Sequence, residues 1–274
     1  MTPLPFTYGL EFEVEGISPN DAASAITDAG ITCDRVSSDI HETHDEWKAV
    51  YDGSLSNGAE IVSPVLTAAR LNEARKVARV LAENGARVGS STGYHVHIGH
   101  KAFRDNEGSW SDSLATFILN YYAVHHALGA LVAPSRLSNR RYCRILTQQE
   151  AESEAEYVRN GNVGSRFGDR YFSLNLDALN RHGTVEVRLH QGTLNGVKAI
   201  AWVKLIEALV KESKKDVHLY ENEALHPWQP LEAYSRGTAS VDDCRTLLDL
   251  LSTNGSLSAS TADWLKGRAA LLHG

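Results

Sequence analysis

Apolar and polar side chains alternate without a break from Phe6 to Glu15, the period of a half-buried strand. Tyr8, Leu10, Phe12 and Val14 share one face, and Glu11, Glu13 and Glu15 share the other. The same period returns in YHVHI (94–98) and TVEVRLH (184–190). In the first, Tyr94, Val96 and Ile98 back His95 and His97; in the second, Val185, Val187 and Leu189 back Glu186, Arg188 and His190. AEIV (59–62) predicts a short strand stopped by Pro64, and RYFSLNL (170–176) predicts another, joined to 184–190 by a turn near Asn180–Gly183. Helical spacing predicts helices over 20–29 with Asn20 as N-cap, over Thr67–Asn84 closed by Gly85, and over 111–133. Three more are predicted over 196–214 with Asn195 as cap, near 240–252 and near 260–272. Residues 31–51 read as irregular with short strands near Cys33 and Trp47, and 52–58 as a turn. Residues 135–170 read as long loops around a helical piece at 147–159, a length that commonly carries function.

Several strands keep one polar face, whereas a parallel sheet covered on both faces would show continuous apolar runs. The pattern therefore predicts an α+β fold: a mainly antiparallel sheet with helices packed on one face and a helical C-terminal tail. The organisation expected is a main domain over 1–215 and a helical extension over 216–274 packed on the same domain. At 274 residues, 42% hydrophobic and 22% charged, the composition is that of a folded globular chain. A net charge of −7 gives no basic footprint for nucleic acid, so no nucleic-acid partner is expected. Three scattered cysteines form neither a disulfide framework nor a C-x-x-C knuckle. With no leader-like start and no apolar run of about 18 residues, the expectation is a cytoplasmic protein without a membrane span.

The polar faces carry the candidate chemistry. Glutamates two apart on a strand lie about 6.7 Å apart at Cα. Their mutual repulsion is about 2.5 kcal/mol at an effective dielectric of 20 and about 0.6 kcal/mol in water. On an open surface Glu11, Glu13 and Glu15 need no explanation. In a cleft they require cations. Glutamate and histidine hold hard and borderline divalent ions, and arginine grips phosphate through its planar fork. Glu11, Glu13, Glu60, His95, His97, Glu186 and Arg188 are therefore read together.

Other tempting groups carry less. His125 and His126 sit in an apolar helix and read as core or edge histidines. His41 and His44 in DIHETHDEW have metal-compatible neighbours but no periodicity, and read as a solvated loop. Cys143 in RRYCR has arginines beside it but no placed base. The arginines of 135–170 read either as a solvated loop or as part of a lid. No G-x-x-x-x-G-K-[ST], G-x-S-x-G or H-E-x-x-H motif occurs.

G-x-E-x-E on the first strand, DGSL followed by the Gly58–Pro64 stretch, a small-residue turn into HVH, then NL and TVEVRLHQGT together resemble the amidoligase family. That family belongs to the carboxylate–amine ligases with glutamine synthetase and glutamate–cysteine ligase, and the resemblance spans about residues 8–210. It implies a curved, glutamine-synthetase-like sheet. It implies metal ligands at Glu11, Glu13, Glu60, His95 and Glu186, with Glu11 and Glu13 facing different ions. It implies phosphate-handling roles for Arg188, Arg170 and His97, with Arg188 and Arg170 on the transferring phosphate, and a nucleotide-side position for Asn175. Glu15 has no counterpart, and the ammonia-site and adenine-site elements of glutamine synthetase are not found.

The implied reaction uses ATP and two or three Mg2+ ions, with Mn2+ as the alternative, to activate a carboxylate as an acyl phosphate and join it to an amine. Substrates would be small-molecule or peptide carboxylates and amines, and related ligases often assemble as homo-oligomers. Two other readings stay open: a metal-dependent hydrolase using the same ligands, and a non-catalytic binding protein on the same fold.

Overall fold

The computed structural model describes residues 6–36, 44–55, 57–104, 109–137, 141–229 and 240–273. Its strands are β1 (Tyr8–Glu15), β2 (Cys33–Val36), β3 (Trp47–Val50), β4 (Gly58–Val62), β5 (Tyr94–Gly99), β6 (Leu174–Asn175) and β7 (Thr184–Val187). Its α-helices are α1 (Pro19–Asp28), α2 (Leu71–Glu83), α3 (Ser111–Ala123), α4 (His125–Gly129) and α5 (Pro134–Leu137), followed by α6 (Gln148–Arg159), α7 (Ala178–His182), α8 (Gly196–Lys214), α9 (Val241–Thr253) and α10 (Ala259–His273). The strands form one seven-stranded sheet in the order β2-β3-β4-β1-β5-β7-β6. The β3–β4, β4–β1 and β1–β5 pairs are antiparallel and β2–β3 is parallel, so the fold is the expected α+β class with a mostly antiparallel sheet.

The chain divides into two compact units. The first holds Pro5–Gly99 and Glu186–Val203. In it the apolar face of β1 is fully buried and its glutamate face half-buried, as the alternation requires. Phe12 packs against Trp47 and Tyr94 at 6.4 and 4.8 Å between ring centres. The helices lie over that aromatic face: Trp47 Nε1 donates to Glu73 of α2 at 3.2 Å, Tyr94 Oη to the Ala199 carbonyl of α8 at 3.4 Å, and α1 packs on β2, β3 and β4. Burying a side chain of this size contributes roughly 1.5–3 kcal/mol.

The second unit holds His100–Val185 and Lys204–Gly274. Its centre is α3, buried on all sides and packed against α6. Asn120 ties α3 to the end of α8, donating to Ser213 Oγ (3.1 Å) and the Val217 carbonyl (2.8 Å) and accepting from Leu219 N (2.7 Å). The helix α9 packs on α4 and α10.

Several boundaries differ from the sequence expectation, each for a local reason. The helix at 20–29 starts one turn-position earlier: Ser18 Oγ accepts from Asp21 N at 3.2 Å and Pro19 fills the first turn, so Asn20 is not the cap. The expected helix 111–133 breaks at Val124 into α3 and α4, where the Ala123 carbonyl accepts the Trp228 N–H at 3.1 Å. RYFSLNL is not a seven-residue strand. Asp169 Oδ1 holds Tyr171 N at 2.8 Å in a turn, a single parallel bridge joins Phe172 to Arg144, and only Leu174–Asn175 is strand. The turn expected near Asn180–Gly183 is the short helix α7, which ends on Gly183 at φ 65°. Asn195 caps α8 as expected, accepting from Lys198 N at 3.0 Å.

Candidate active site

The antiparallel register of the first unit converts sequence alternation into a cluster. Glu11 lies directly opposite His95 across β1–β5, and Glu13 lies opposite Glu60 across β1–β4. Residues directly opposite in an antiparallel pair share a face, so the four side chains stand on one surface of the sheet. Gly9 faces His97 in the same ladder. Glu186 on β7 and Arg188, one residue past its end, complete the group.

Glu11 is the hub. One carboxylate oxygen lies 2.8 Å from His95 Nδ1 and the other 3.0 Å from His97 Nε2. His95 Nδ1 also lies 3.4 Å from Glu186 Oε1, and its Nε2 lies 3.5 Å from Glu13 Oε1. Arg188 donates through a terminal guanidinium nitrogen to Glu186 Oε1. Glu13 Oε2 accepts the backbone N–H of Gly93, and Glu15 Oε1 accepts Ser91 Oγ at 2.6 Å. His95, His97 and Glu186 are buried, and Glu11, Glu13, Glu60 and Arg188 partly so.

The electrostatics of this face are unbalanced. Burial pushes Glu60 well above the ordinary carboxylate range, and the charge on Glu11, a hydrogen bond to it, and the charges on Glu13 and Asp52 push the same way. Burial works against ionisation of Glu11 too, yet His97 and His95 hold it well below that range. Glu186 is likewise held low against its burial, by Arg188 and then His97. His97 is raised: burial opposes its charge, but Glu11 outweighs burial. The four acids of the face thus outnumber its two permanent cations, Arg188 and Lys48.

A divalent ion fits that excess. One donor atom each from Glu11, His95 and Glu186 lies within 4.8 Å of the other two. Two carboxylates and one imidazole, without a thiolate, form a donor set suited to Mg2+ or Mn2+.

The structure thus gathers Glu11, Glu13, Glu60, His95, His97, Glu186 and Arg188 in one unit. Arg170 and Asn175 belong to the second unit. Arg170 is exposed, its guanidinium 5.1 Å from the Tyr171 ring centre and 3.2 Å from its hydroxyl. Asn175 is buried, and its Oδ1 accepts from Asp177 N at 3.0 Å. His190 does not share the polar face with Glu186 and Arg188. The strand ends at Val187, and the His190 ring packs against Trp202 (5.1 Å) and Tyr94 (5.7 Å) with Nδ1 2.6 Å from the Gln191 carbonyl. His125 and His126 are buried, as the apolar helix implied. His41 lies outside the described residues, and His44 is partly exposed.

Two contributors escaped the sequence reading. Gly93 carries a backbone donor, visible in sequence only as part of a small-residue turn. Lys48, 6% exposed, lies opposite Val62, which lies opposite Glu11, and so stands on the acidic face. Its signal was a lysine directly after a buried Trp on a short strand.

Comparison with known proteins adds the family. No curated protein matches the sequence. A solved structure of a GmaS/ADP complex, in a first conformation, matches at 13% identity and TM-score 0.48, covering 98% of this chain and 69% of that one. Residues 4–210 match the family described as "Putative amidoligase enzyme". With more than half of its length inside that match, this chain belongs to the amidoligase family.

Proposed function

We propose that this protein is an ATP-dependent carboxylate–amine ligase whose chemistry runs on the acidic face of the first unit. Membership of the amidoligase family supports the ligase class. The observation that carries the site is the convergence of Glu11, His95 and Glu186 donors beside Arg188. All of the clustered residues fall within 1–215, the stretch we assign to catalysis, and none within the helical extension 216–274.

In the proposed reaction a substrate carboxylate oxygen attacks the γ-phosphorus of ATP, the bond to the bridging oxygen breaks, and ADP leaves. The acyl phosphate is then attacked at its carbon by an amine, which loses a proton as inorganic phosphate departs. Such transfers depend on positioning and charge neutralisation more than on covalent protein chemistry. Glu11, Glu13, Glu60, His95 and Glu186 are the residues that would hold Mg2+ or Mn2+, which supplies positive charge against phosphate oxygens when bound. Arg188, oriented by Glu186, is the guanidinium that would meet charge developing on the transferred group. The Glu186–Arg188 pair fixes the guanidinium before substrate arrives, so little ordering cost remains at the reacting step. Glu11 holds both imidazoles, which keeps His97 oriented at the edge of the cluster. Arg170 and Asn175 retain the nucleotide-side roles implied by the family resemblance.

The test is turnover. Purified protein with ATP, Mg2+ and pools of amino acids and peptides should release ADP and phosphate only when both a carboxylate and an amine are present. Release that is unchanged by Arg188→Ala would reject the assignment. Stabilisation by Zn2+ alone, without a response to Mg2+ and ATP, would favour the hydrolase.

A further inference from the structure

The turn at 89–93, Gly-Ser-Ser-Thr-Gly, lies against the acidic face without contributing a charged group. Its contacts are nevertheless aimed at two of the glutamates. Gly93 donates its backbone N–H to Glu13 Oε2, and its carbonyl accepts Glu13 N at 3.2 Å. Ser91 Oγ donates to Glu15 at 2.6 Å. Thr92 Oγ1 stiffens the turn, accepting from Gly89 N and donating to the Gly89 carbonyl, each at 3.0 Å. Gly192 N donates to the Thr92 carbonyl at 2.8 Å, and Gly93 bridges to Gln191.

The space around Gly93 is as specific as its hydrogen bonds. A Cβ at this position would lie 2.6 Å from His95 Nε2 and 3.1 Å from Glu13 Oε2. Gly93 is not among the residues with positive φ, so its backbone suits any L-residue. Glycine is required there only by the closeness of those two side chains. The backbone of one residue thus lies against both a carboxylate and an imidazole of the proposed ion site, and it holds the carboxylate by its amide.

We propose that Gly93 is a positioning residue of the active site: its N–H fixes Glu13, and its missing side chain lets Glu13 and His95 approach the same point. A backbone donor serves here where a lysine or arginine could not. It orients the carboxylate without supplying a full positive charge that would compete with a bound cation. Glu13 Oε1 is left facing His95 Nε2, with Oε2 occupied by the amide. The role assigned to the ion rests on the ligase reading above; the steric and hydrogen-bonding role does not.

Two measurements test it. The first is Mn2+ binding, followed by loss of the free-ion electron paramagnetic resonance signal, in the full-length wild type and in Gly93→Ala with unchanged far-ultraviolet circular dichroism. The expected result is a dissociation constant at least tenfold higher in the variant; equal binding overturns the proposal. The second is a stability cycle. Gly93→Ala should lower the melting temperature in the wild type and far less in a His95→Ala background, where the obstructed space is vacated. An equal drop in both backgrounds overturns the proposal. Should the wild type itself fail to bind Mn2+, the ion-site reading falls, and the stability cycle alone decides the role of Gly93.

Discussion

Two buried carboxylate sites in this molecule are built on opposite principles. In the second unit, Glu212 is fully buried, and every donor around it is accounted for. Lys215 Nζ lies 3.1 Å from Oε1, Asn254 Nδ2 donates to Oε2 at 2.6 Å, and Ser256 donates to Oε1. Lys215 in turn reaches the Asn254 carbonyl at 2.9 Å and Ser256 Oγ at 2.8 Å. One acid meets one cation and two neutral donors, and α8 is locked to the segment between α9 and α10. On the acidic face of the first unit, Glu11, Glu13, Glu60 and Glu186 stand with two imidazoles, the Arg188 guanidinium, the Lys48 ammonium and a backbone amide. Glu60 is driven toward its neutral form by burial and then by its acidic neighbours. On the proposed reading the difference is one of purpose: a buried charge that is locally complete serves stability, and a surplus of acid suits a ligand.

The largest effect that would sharpen this contrast is on turnover. Arg188→Lys keeps the charge beside Glu186 but loses the planar fork. Ligase turnover, measured as ADP release, should fall about 10²–10³-fold. The melting temperature should stay close to that of the wild type. A large loss of stability with turnover intact would reverse the assignment of the two sites.

The second effect is on folding. Glu212→Ala removes a carboxylate from three donors and leaves the Lys215 ammonium beside a cavity. The expected destabilisation is about 3 kcal/mol by urea unfolding. Specific activity of the folded fraction should be unchanged, because nothing in that network belongs to the acidic face. A parallel loss of activity per folded molecule would show that the site depends on this clamp.

A third test uses pH. His125 is fully buried beside the rings of Tyr121 (5.6 Å) and Tyr122 (6.4 Å), and burial, helped by the charge of His126, lowers its pKa to about 3. The unfolded chain binds this proton near pH 6.5 and the folded chain does not. Stability contributed by neutral His125 is therefore complete above about pH 6.5 and is lost as pH falls toward 3. Between pH 6.5 and 5 the slope should be on the order of 1 kcal/mol per pH unit. His125→Phe, which keeps an aromatic ring beside the same tyrosines, should flatten it by about one proton, read from urea midpoints across that range. An unchanged slope would place the acid sensitivity elsewhere.

Sequence periodicity made part of this architecture legible and left the rest invisible for identifiable reasons. The glutamate face of β1 could be read because side-chain parity in a strand is fixed by the backbone alone. The helical piece at 147–159 was legible from its composition, and its start at Gln148 follows a local signal, the Thr147–Glu150 capping box. Asn195 was legible as a cap for the same local reason. What failed was parity at strand ends and continuity over long distances. His190 left the polar face because β7 stops at Val187, and its ring found Trp202, a residue 12 positions away. RYFSLNL had the composition of a strand, but Asp169 and Arg144 captured its backbone first. Gly93 was hidden because its contribution is an amide and an empty volume, and neither appears in a count of charged residues. The ring of donors around Glu212 joins α8 to residues about 40 positions later, beyond any local pattern.

The smallest expected effect bears most directly on the contrast between the two carboxylate sites. Glu60→Gln preserves shape and a hydrogen bond toward Glu11 while fixing the position in the neutral form toward which the site drives Glu60. With divalent ions chelated, the variant should be more stable than the wild type by up to about 1 kcal/mol, the scale of one partly screened repulsion between neighbouring carboxylates. Adding Mg2+ should stabilise the wild type more than the variant, because an ion that binds only the folded state adds stability in proportion to its affinity. The gain from Glu60→Gln should therefore shrink or change sign as Mg2+ rises, while Glu212→Gln should destabilise by the same amount at every Mg2+ concentration. Urea unfolding with chelator and with Mg2+ separates the two. If Glu60→Gln destabilises the ion-free protein as Glu212→Gln does, the acidic face is as locally complete as the clamp, and the case for a ligand there is lost.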